Sequence, residues 1–190
     1  MSSPVTVAAG SCRSPYRRYC DGEEVKINLG CGDRYASGWI NVDHSGSPHQ
    51  KDETVDLTGA LPWPEQSVSY VYAGHVLEHL TLDVCTDLLG RLLRCARPGC
   101  EIMVVGPDVE RAREMAVAGT LDVTLDSLIY GASRWPGDEH RWECNAQHVR
   151  RLLSDTGWSG VTELDITQVP ALWPVADRRP RWQCAVLAHA

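Results

Sequence analysis

At 190 residues the chain is long enough for one domain with one sizeable core, and its 43% hydrophobic content is ordinary for a globular protein. A formal net charge of −7 argues against a nucleic-acid backbone as partner. No apolar run is long enough to span a bilayer and no signal-peptide core is present, so the expected location is cytoplasmic.

Residues 1–22 are rich in Ser, Pro, Arg and Cys without periodicity, the composition of a flexible lead-in, which leaves 23–190 as a single domain. The first strand is predicted over 25–29 and the second over 39–43. Between them, Gly30 and Gly32 flank Cys31; without a Cβ they let the backbone turn sharply and approach a ligand closely. Asp43 ends the second strand, where an acid can accept hydrogen bonds from ribose hydroxyls. The turn departs from a dinucleotide fingerprint, because position 35 is Tyr where a third glycine is wanted. Asp43 also arrives sooner than the spacing of about 20 residues expected of a ribose acid there.

A third strand is predicted over 53–57, and Asp56 lies at its carboxyl end. Its carboxylate can accept from the exocyclic amine of a purine while Leu57 packs on the base; the same Asp equally suits an Asx turn into LPWP. A fourth strand, 67–73, stops at Gly74. A helix follows over 81–96, since Cys85, Leu88, Leu89, Leu92, Leu93 and Ala96 recur at spacings of three and four. Thr81 is placed to cap it, Asp83 lies in its first turn, Arg91, Arg94 and Arg97 sit near its end, and Pro98-Gly99 stops it. A buried strand is predicted over 101–106.

Residues 108–142 read as a lid-like insertion: a helix over 109–118, a short apolar segment at 121–130 and the loop SRWPGDEHRW. A helix over 145–156 ends near Gly157, and strands near 160–167 and 181–188 close the chain. Strands alternating with helices predict α/β architecture with a mainly parallel sheet. The eight cysteines form no CxxC pair and several fall in apolar segments, so buried thiols are expected rather than a disulfide framework or zinc cluster.

Residues 75–79, HVLEH, spell HxxEH, in which two His ligands and a Glu base share a helix of a zinc protease. Here His75 follows a β-rich segment and Gly74, at a strand–helix junction, so the two histidines are not expected to face one metal. Glu78 and His79 are read as structural hydrogen-bonding groups at the start of the long helix. His140 is a candidate base or substrate-orienting group, and equally a loop His stacked near Trp142. Asp108, just past the fifth strand, is either a base at the ligand-binding edge or a helix cap.

In order, INLGCG (27–32), INVD (40–43), VDLTGALPWPEQSVSYVYAGHVLEHL (55–80), LLRCARPGCEIMVVGPD (92–108) and HRWECNAQHVRRLLSDTGW (140–158) resemble the class I S-adenosylmethionine-dependent methyltransferases, above all small bacterial members of the methyltransferase type 11 kind. The resemblance implies a Rossmann-like sandwich, with a mainly parallel seven-stranded sheet and helices on both faces. It implies S-adenosyl-L-methionine as cofactor and methyl transfer as activity. Gly30, Cys31 and Gly32 would wrap the methionine moiety, Asp43 would hold the ribose, Asp56 and Leu57 would contact adenine, and Gly74 and His75 would flank the transferring methyl. Where many members have an acid near the cofactor's amino group this chain has Asn28, and where many have a third glycine it has Arg34.

For a hydroxyl acceptor the candidate bases are His75, His140 and Asp108, in that order. No metal motif like those of catechol methylation occurs, which implies a metal-independent enzyme. The lack of a basic face and of an appended recognition domain points to a small-molecule acceptor such as a metabolite, sugar or natural-product intermediate. Neither nucleic acid nor membrane is expected as partner, and a homodimer is left open. Two other classes stay open: a non-catalytic binding protein of the same fold, motivated by Asn28 and Arg34, and an HxxEH zinc hydrolase.

Overall fold

The computed structural model describes residues 24–134, 137–178 and 181–190; the lead-in predicted over 1–22 lies outside them. In chain order the elements are β1 (Lys26–Leu29), β2 (Ile40–Asp43), β3 (Glu53–Thr54), β4 (Val68–Gly74), α1 (Leu82–Cys95), β5 (Ala96–Pro107), α2 (Val109–Val117), α3 (Leu125–Tyr130), α4 (Ala146–Asp155), β6 (Ser159–Leu164) and β7 (Gln183–His189). They include a seven-stranded sheet in the order β3-β2-β1-β4-β5-β7-β6, parallel except for β7, which runs antiparallel to both neighbours. The chain steps outward from β1 through β2 to β3, then returns to the other side of β1 at β4. The carboxyl ends of β1 and β4 therefore flank the point where strand order reverses, the place where open α/β sheets bind ligands.

Period-two alternation along the strands sorts the core into two layers. Val71 and Ala73 of β4, Ile102 and Val104 of β5 and Val186 of β7 face one side, with Leu88, Leu89 and Leu92 of α1 and Val149 and Leu153 of α4. Each fully buried leucine in this layer contributes about 1.5–3 kcal/mol. Trp158 joins the two helices, its Nε1 donating to the Leu89 carbonyl at 3.1 Å. Tyr72, Met103, Val105 and Ala185 face the opposite side, packed against Trp39, Ile166, Val169 and Trp173. Trp173 stacks 5.7 Å from Trp39 and 5.8 Å, edge-on, from Tyr70.

Several boundaries differ from the expectation. β3 keeps only two of the five predicted residues, pairing at Val42–Glu53 and Asp43–Thr54 alone. β5 starts earlier than predicted because α1 ends at Cys95 and the next residue, Ala96, already pairs with Val68. Thr81 does stand at the start of α1, but its side chain makes no capping hydrogen bond. No helix separates β1 from β2; loop residues 30–39 make the connection. Cys31, Cys85, Cys95, Cys100, Cys144 and Cys184 are free and buried, as expected, while Cys12 and Cys20 lie outside the described residues. No helix among the described residues is long and apolar enough to cross a membrane.

Candidate functional site

β1 ends in a turn whose two glycines both take left-handed backbone, Gly30 at φ +54° and Gly32 at φ +50°. A Cβ on Gly30 would strike the Val76 side chain, whereas one on Gly32 would meet nothing within 4 Å. The turn is thus packed below and open above. The Gly32 amide donates to Asp43 Oδ2 at 2.8 Å, and the His44 amide donates to Oδ1 at 2.8 Å. Asp43 is therefore fixed beside the open turn, at the carboxyl end of the strand next to β1. Cys31 turns inward: its thiol is buried against the Gln50 carbonyl, and burial, with Asp43 nearby, pushes its pKa up to about 11. Only its backbone faces the turn.

Asn28, expected near the cofactor's amino group, lies beneath this surface. It is 2% exposed, and its Nδ2 donates to the Arg34 carbonyl at 3.0 Å and to Asn41 Oδ1 at 2.9 Å. Asn41 Oδ1 also accepts from the Ala36 amide, and its Nδ2 donates to Asp52 Oδ2. Asn28 so belongs to an amide network that shapes the loop after the glycines. Asp56 forms an Asx turn, Oδ1 accepting from the Thr58 amide and hydroxyl at 2.9 and 2.7 Å, which leaves Oδ2 outside the turn. These bonds, the Thr58 hydroxyl foremost, hold its carboxyl below the usual value. Leu57 packs at the rim of the main core, and Arg91 ties its carbonyl to α1 at 2.6 Å.

At the end of β4, Gly74 has no room for a side chain, since the Tyr72 hydroxyl would lie 2.4 Å from a Cβ. His75 follows at φ +56°, a sparsely populated conformation for a residue with a Cβ, held by the hydrogen bond its amide donates to the Val105 carbonyl at 2.8 Å. Its ring is clamped at both nitrogens. Nδ1 lies 3.0 Å from Glu78 Oε1 and Nε2 lies 2.7 Å from Gln183 Oε1. Gln183 Nε2 donates to the Asp177 carbonyl, so it is the amide oxygen that faces His75 and the ring must donate to it. With a carboxylate on the other side, both ring nitrogens are placed to donate. Burial opposes a charge on the ring, but the bond to Glu78 outweighs it and raises the His75 pKa; in turn, burial opposes the Glu78 charge and His75 more than offsets it, lowering the Glu78 pKa. Both ring nitrogens of His75, named first among the candidate bases, are thus engaged by partners within the fold.

Asp108 takes the second of its two expected roles. It caps α2, Oδ1 accepting from the Arg111 amide at 3.0 Å, while Oδ2 lies 3.5 Å from the Ala146 amide and 3.8 Å from the Arg111 guanidinium. Its carboxylate works inside the fold. His140 keeps one nitrogen unclaimed by the fold: Nδ1 sits 2.9 Å from the Leu128 carbonyl, which puts the proton there and leaves the lone pair on Nε2. Burial lowers its pKa, with the Glu78 carboxylate opposing. The loop carrying it is fastened to the turn after β4, where Arg141 donates its amide to the Glu78 carbonyl at 2.7 Å and Trp142 Nε1 donates to the Leu77 and Leu80 carbonyls at 3.0 and 3.1 Å. The HxxEH residues do not assemble as in a zinc protease. His75 turns to Gln183, and among the described residues the group with metal-ligand proximity is Glu78, His79 and His140. Gln183, 108 positions away from His75, and the joining of His140 to Glu78 and His79 had no local signal in the sequence. Shallow depressions beside α4 and beside Arg111 and Glu163 carry none of these residues.

The chain matches no protein-family profile and no curated protein. Among solved structures it is similar to a SAM-dependent methyltransferase from Archaeoglobus fulgidus, at 15% identity and TM-score 0.58, covering 92% of this chain and 90% of that one. An S-adenosylmethionine-dependent methyltransferase from Mesorhizobium loti aligns at 18% identity and TM-score 0.55, over 87% of this chain and 90% of that one. Human N-acetylserotonin methyltransferase, in complex with SAM, aligns at 16% identity and TM-score 0.52, over 87% of this chain and 47% of that one. With the strand order and the single antiparallel strand β7, these likenesses agree on one architecture: the chain has the fold of the class I S-adenosylmethionine-dependent methyltransferases.

Proposed function

We propose that this protein is an S-adenosylmethionine-dependent methyltransferase acting on a small-molecule acceptor. The observation that carries the reading is the open glycine turn beside a carboxylate that the turn itself holds in place, both at the strand edge where sheet order reverses. The backbone of Gly30, Cys31 and Gly32 would receive the methionine part, Asp43 would accept from the ribose hydroxyls, Leu57 and Asp56 would meet the adenine, and Gly74 would border the sulfur end. Asn28 would act indirectly, by shaping the turn.

The cofactor supplies a methyl group already made electrophilic by a positively charged sulfur, so this step calls for no metal. The chain's own residues must then align the acceptor and exclude water. His75, held at the end of β4 by Glu78 and Gln183, suits orienting an electron-rich acceptor group. Of the three candidate bases, His140 alone keeps a nitrogen lone pair for a hydroxyl proton. The net charge of −7 favours a small acceptor over a nucleic acid.

Isothermal titration of the full chain with S-adenosylmethionine and S-adenosylhomocysteine tests the reading, with Asp43→Ala as control. Saturable binding is expected, weakened roughly 10- to 100-fold in the variant by loss of hydrogen bonds to a charged acceptor. Folded protein that binds neither ligand refutes it and leaves the non-catalytic binding protein.

A further inference from the structure

The turn after β4 and the loop before α4 bring Glu78, His79 and His140 together, one potential ligand atom from each lying within 4.8 Å of the others. We infer that these three side chains form a binding site for a divalent transition-metal ion, for which zinc is the simplest probe. Zinc with ligands at about 2.0–2.2 Å in a tetrahedron places them about 3.4 Å apart, so binding draws the three groups together by up to about 1.4 Å.

The surroundings of the three groups are those of ligands rather than of bystanders. His140 Nδ1 faces the Leu128 carbonyl at 2.9 Å, and His79 Nδ1 faces the Glu139 carbonyl at a longer 3.4 Å. In His140 the backbone oxygen fixes the proton on Nδ1 and leaves the lone pair on Nε2, the arrangement by which outer partners orient metal-bound histidines, and the longer His79 contact favours the same orientation. The rings lie 5.0 Å apart at 73°, both beside a carboxylate only 1% exposed. Glu78 has its own outer partner, since His75 Nδ1 bonds Oε1 at 3.0 Å. The segments are also locked: Arg141 donates to the Glu78 carbonyl, the His140 amide to the Tyr130 carbonyl at 3.1 Å, and Trp142 to the turn itself. A preformed set of two imidazoles and one carboxylate suits zinc, cobalt or iron(II) better than magnesium or calcium, which favour oxygen ligands.

Three protein ligands leave a coordination position for water or another oxygen donor. Glu78 lies four residues along the chain from Gly74, on the turn that follows β4. An ion held there would take the His140 lone pair, making His140 a ligand in place of the base proposed above, and would supply Lewis acidity to an oxygen donor beside it. The ion-binding inference itself is independent of methyl transfer.

Chelator-stripped full-length protein, titrated with zinc and with cobalt(II), gives the test. The wild type is expected to bind zinc stoichiometrically, to show a visible cobalt absorption band and to melt at a higher temperature with zinc. His79→Ala and His140→Ala should each weaken zinc binding by more than the roughly 10–100-fold that loss of an outer partner costs. His79 is only half-buried, so His79→Ala leaves the fold intact even where His140→Ala does not. Failure of the wild type to take up stoichiometric zinc overturns the inference. Unchanged affinity in His79→Ala overturns it too, because the ion is then held elsewhere, for example by cysteines.

Discussion

Gly30 and Gly32 share a conformation and differ in surroundings, which makes them a controlled pair. Alanine at either position enters left-handed backbone, at about 1–2 kcal/mol for an L-residue with a Cβ. At Gly32 nothing else opposes it. At Gly30 the new Cβ falls 2.7 Å from Val76 Cγ2, well inside the optimal carbon–carbon separation of about 3.5–4.0 Å. Val76 is 7% exposed and β-branched, so its side chain cannot swing aside without leaving its rotamer. Overpacking of this kind adds about 1–3 kcal/mol. Gly30→Ala should therefore cost about 2–5 kcal/mol and Gly32→Ala about 1–2 kcal/mol.

Urea unfolding of the two variants, of Val76→Ala and of Gly30→Ala/Val76→Ala measures both terms. Val76→Ala alone removes buried apolar surface, at about 1.5–3 kcal/mol. In the double variant the added methyl occupies space that Val76 vacates, so the pair should be more stable than the sum of its parts by about 1–3 kcal/mol. Binding should rank the other way: Gly32→Ala fills the open side of the turn and loses S-adenosylhomocysteine affinity despite its milder effect on stability. Equal destabilisation by the two glycine substitutions, or strict additivity with Val76→Ala, would refute the account of the turn as packed below and open above.

Trp158→Ala, which empties a 3% exposed site between α1 and α4, should cost about 3–5 kcal/mol by urea unfolding; a loss under about 1 kcal/mol would mean the helices do not depend on it. His75→Phe strands the Glu78 carboxylate and should cost about 1–3 kcal/mol, a range kept low because the His75 side chain is 41% exposed; Gln183→Leu, which removes the acceptor on the other nitrogen, should cost less. Burial pushes the Asp138 carboxyl up, but the Arg134 side chain and amide outweigh it and leave the pKa lowered. A depressed folded value means that this contribution is complete above the unfolded value of about 3.9 and is lost as pH falls through the folded one. The melting-temperature gap between wild type and Asp138→Asn should accordingly be constant near neutrality and shrink below about pH 4; a gap that widens on acidification would contradict the sign.

What the sequence made legible was local. The β1 strand, the glycine turn and the acid ending β2 follow from residues within a stretch of nineteen, 25–43, and the structure keeps their order. α1 was readable because Cys85, Leu88, Leu89 and Leu92 recur at helical spacing and are buried; of the other two in that pattern, Leu93 is half-buried and Ala96 falls in β5. Asp108 was ambiguous for a local reason too: an acid just before a helix satisfies the first free amides, and that role won here. The rest depended on partners far apart in sequence. Neither Asn28 nor His75 announces which side chain it will meet, and for His75 the deciding contact comes from β7. The two-residue β3 shows the same limit, because strand length there is set by how far its neighbour β2 extends before Asp43 turns away.

The HxxEH stretch brings these limits into one place. A zinc protease needs its two histidines on one helical face, but Gly74 ends a strand here and His75 takes φ +56°, so the helical turn begins only at Leu77. Within that turn Glu78 and His79 are consecutive, and consecutive helical side chains diverge around the axis. They can converge on a single atom only at its rim, and a third group must come from another segment. The loop before α4 delivers it, because Arg141 and Trp142 bond the carbonyls of that same turn and so bring His140 beside it. His75, excluded from the cluster by its backbone, becomes the partner that holds Glu78. The motif's letters thus keep their chemical character while the fold exchanges one histidine for another.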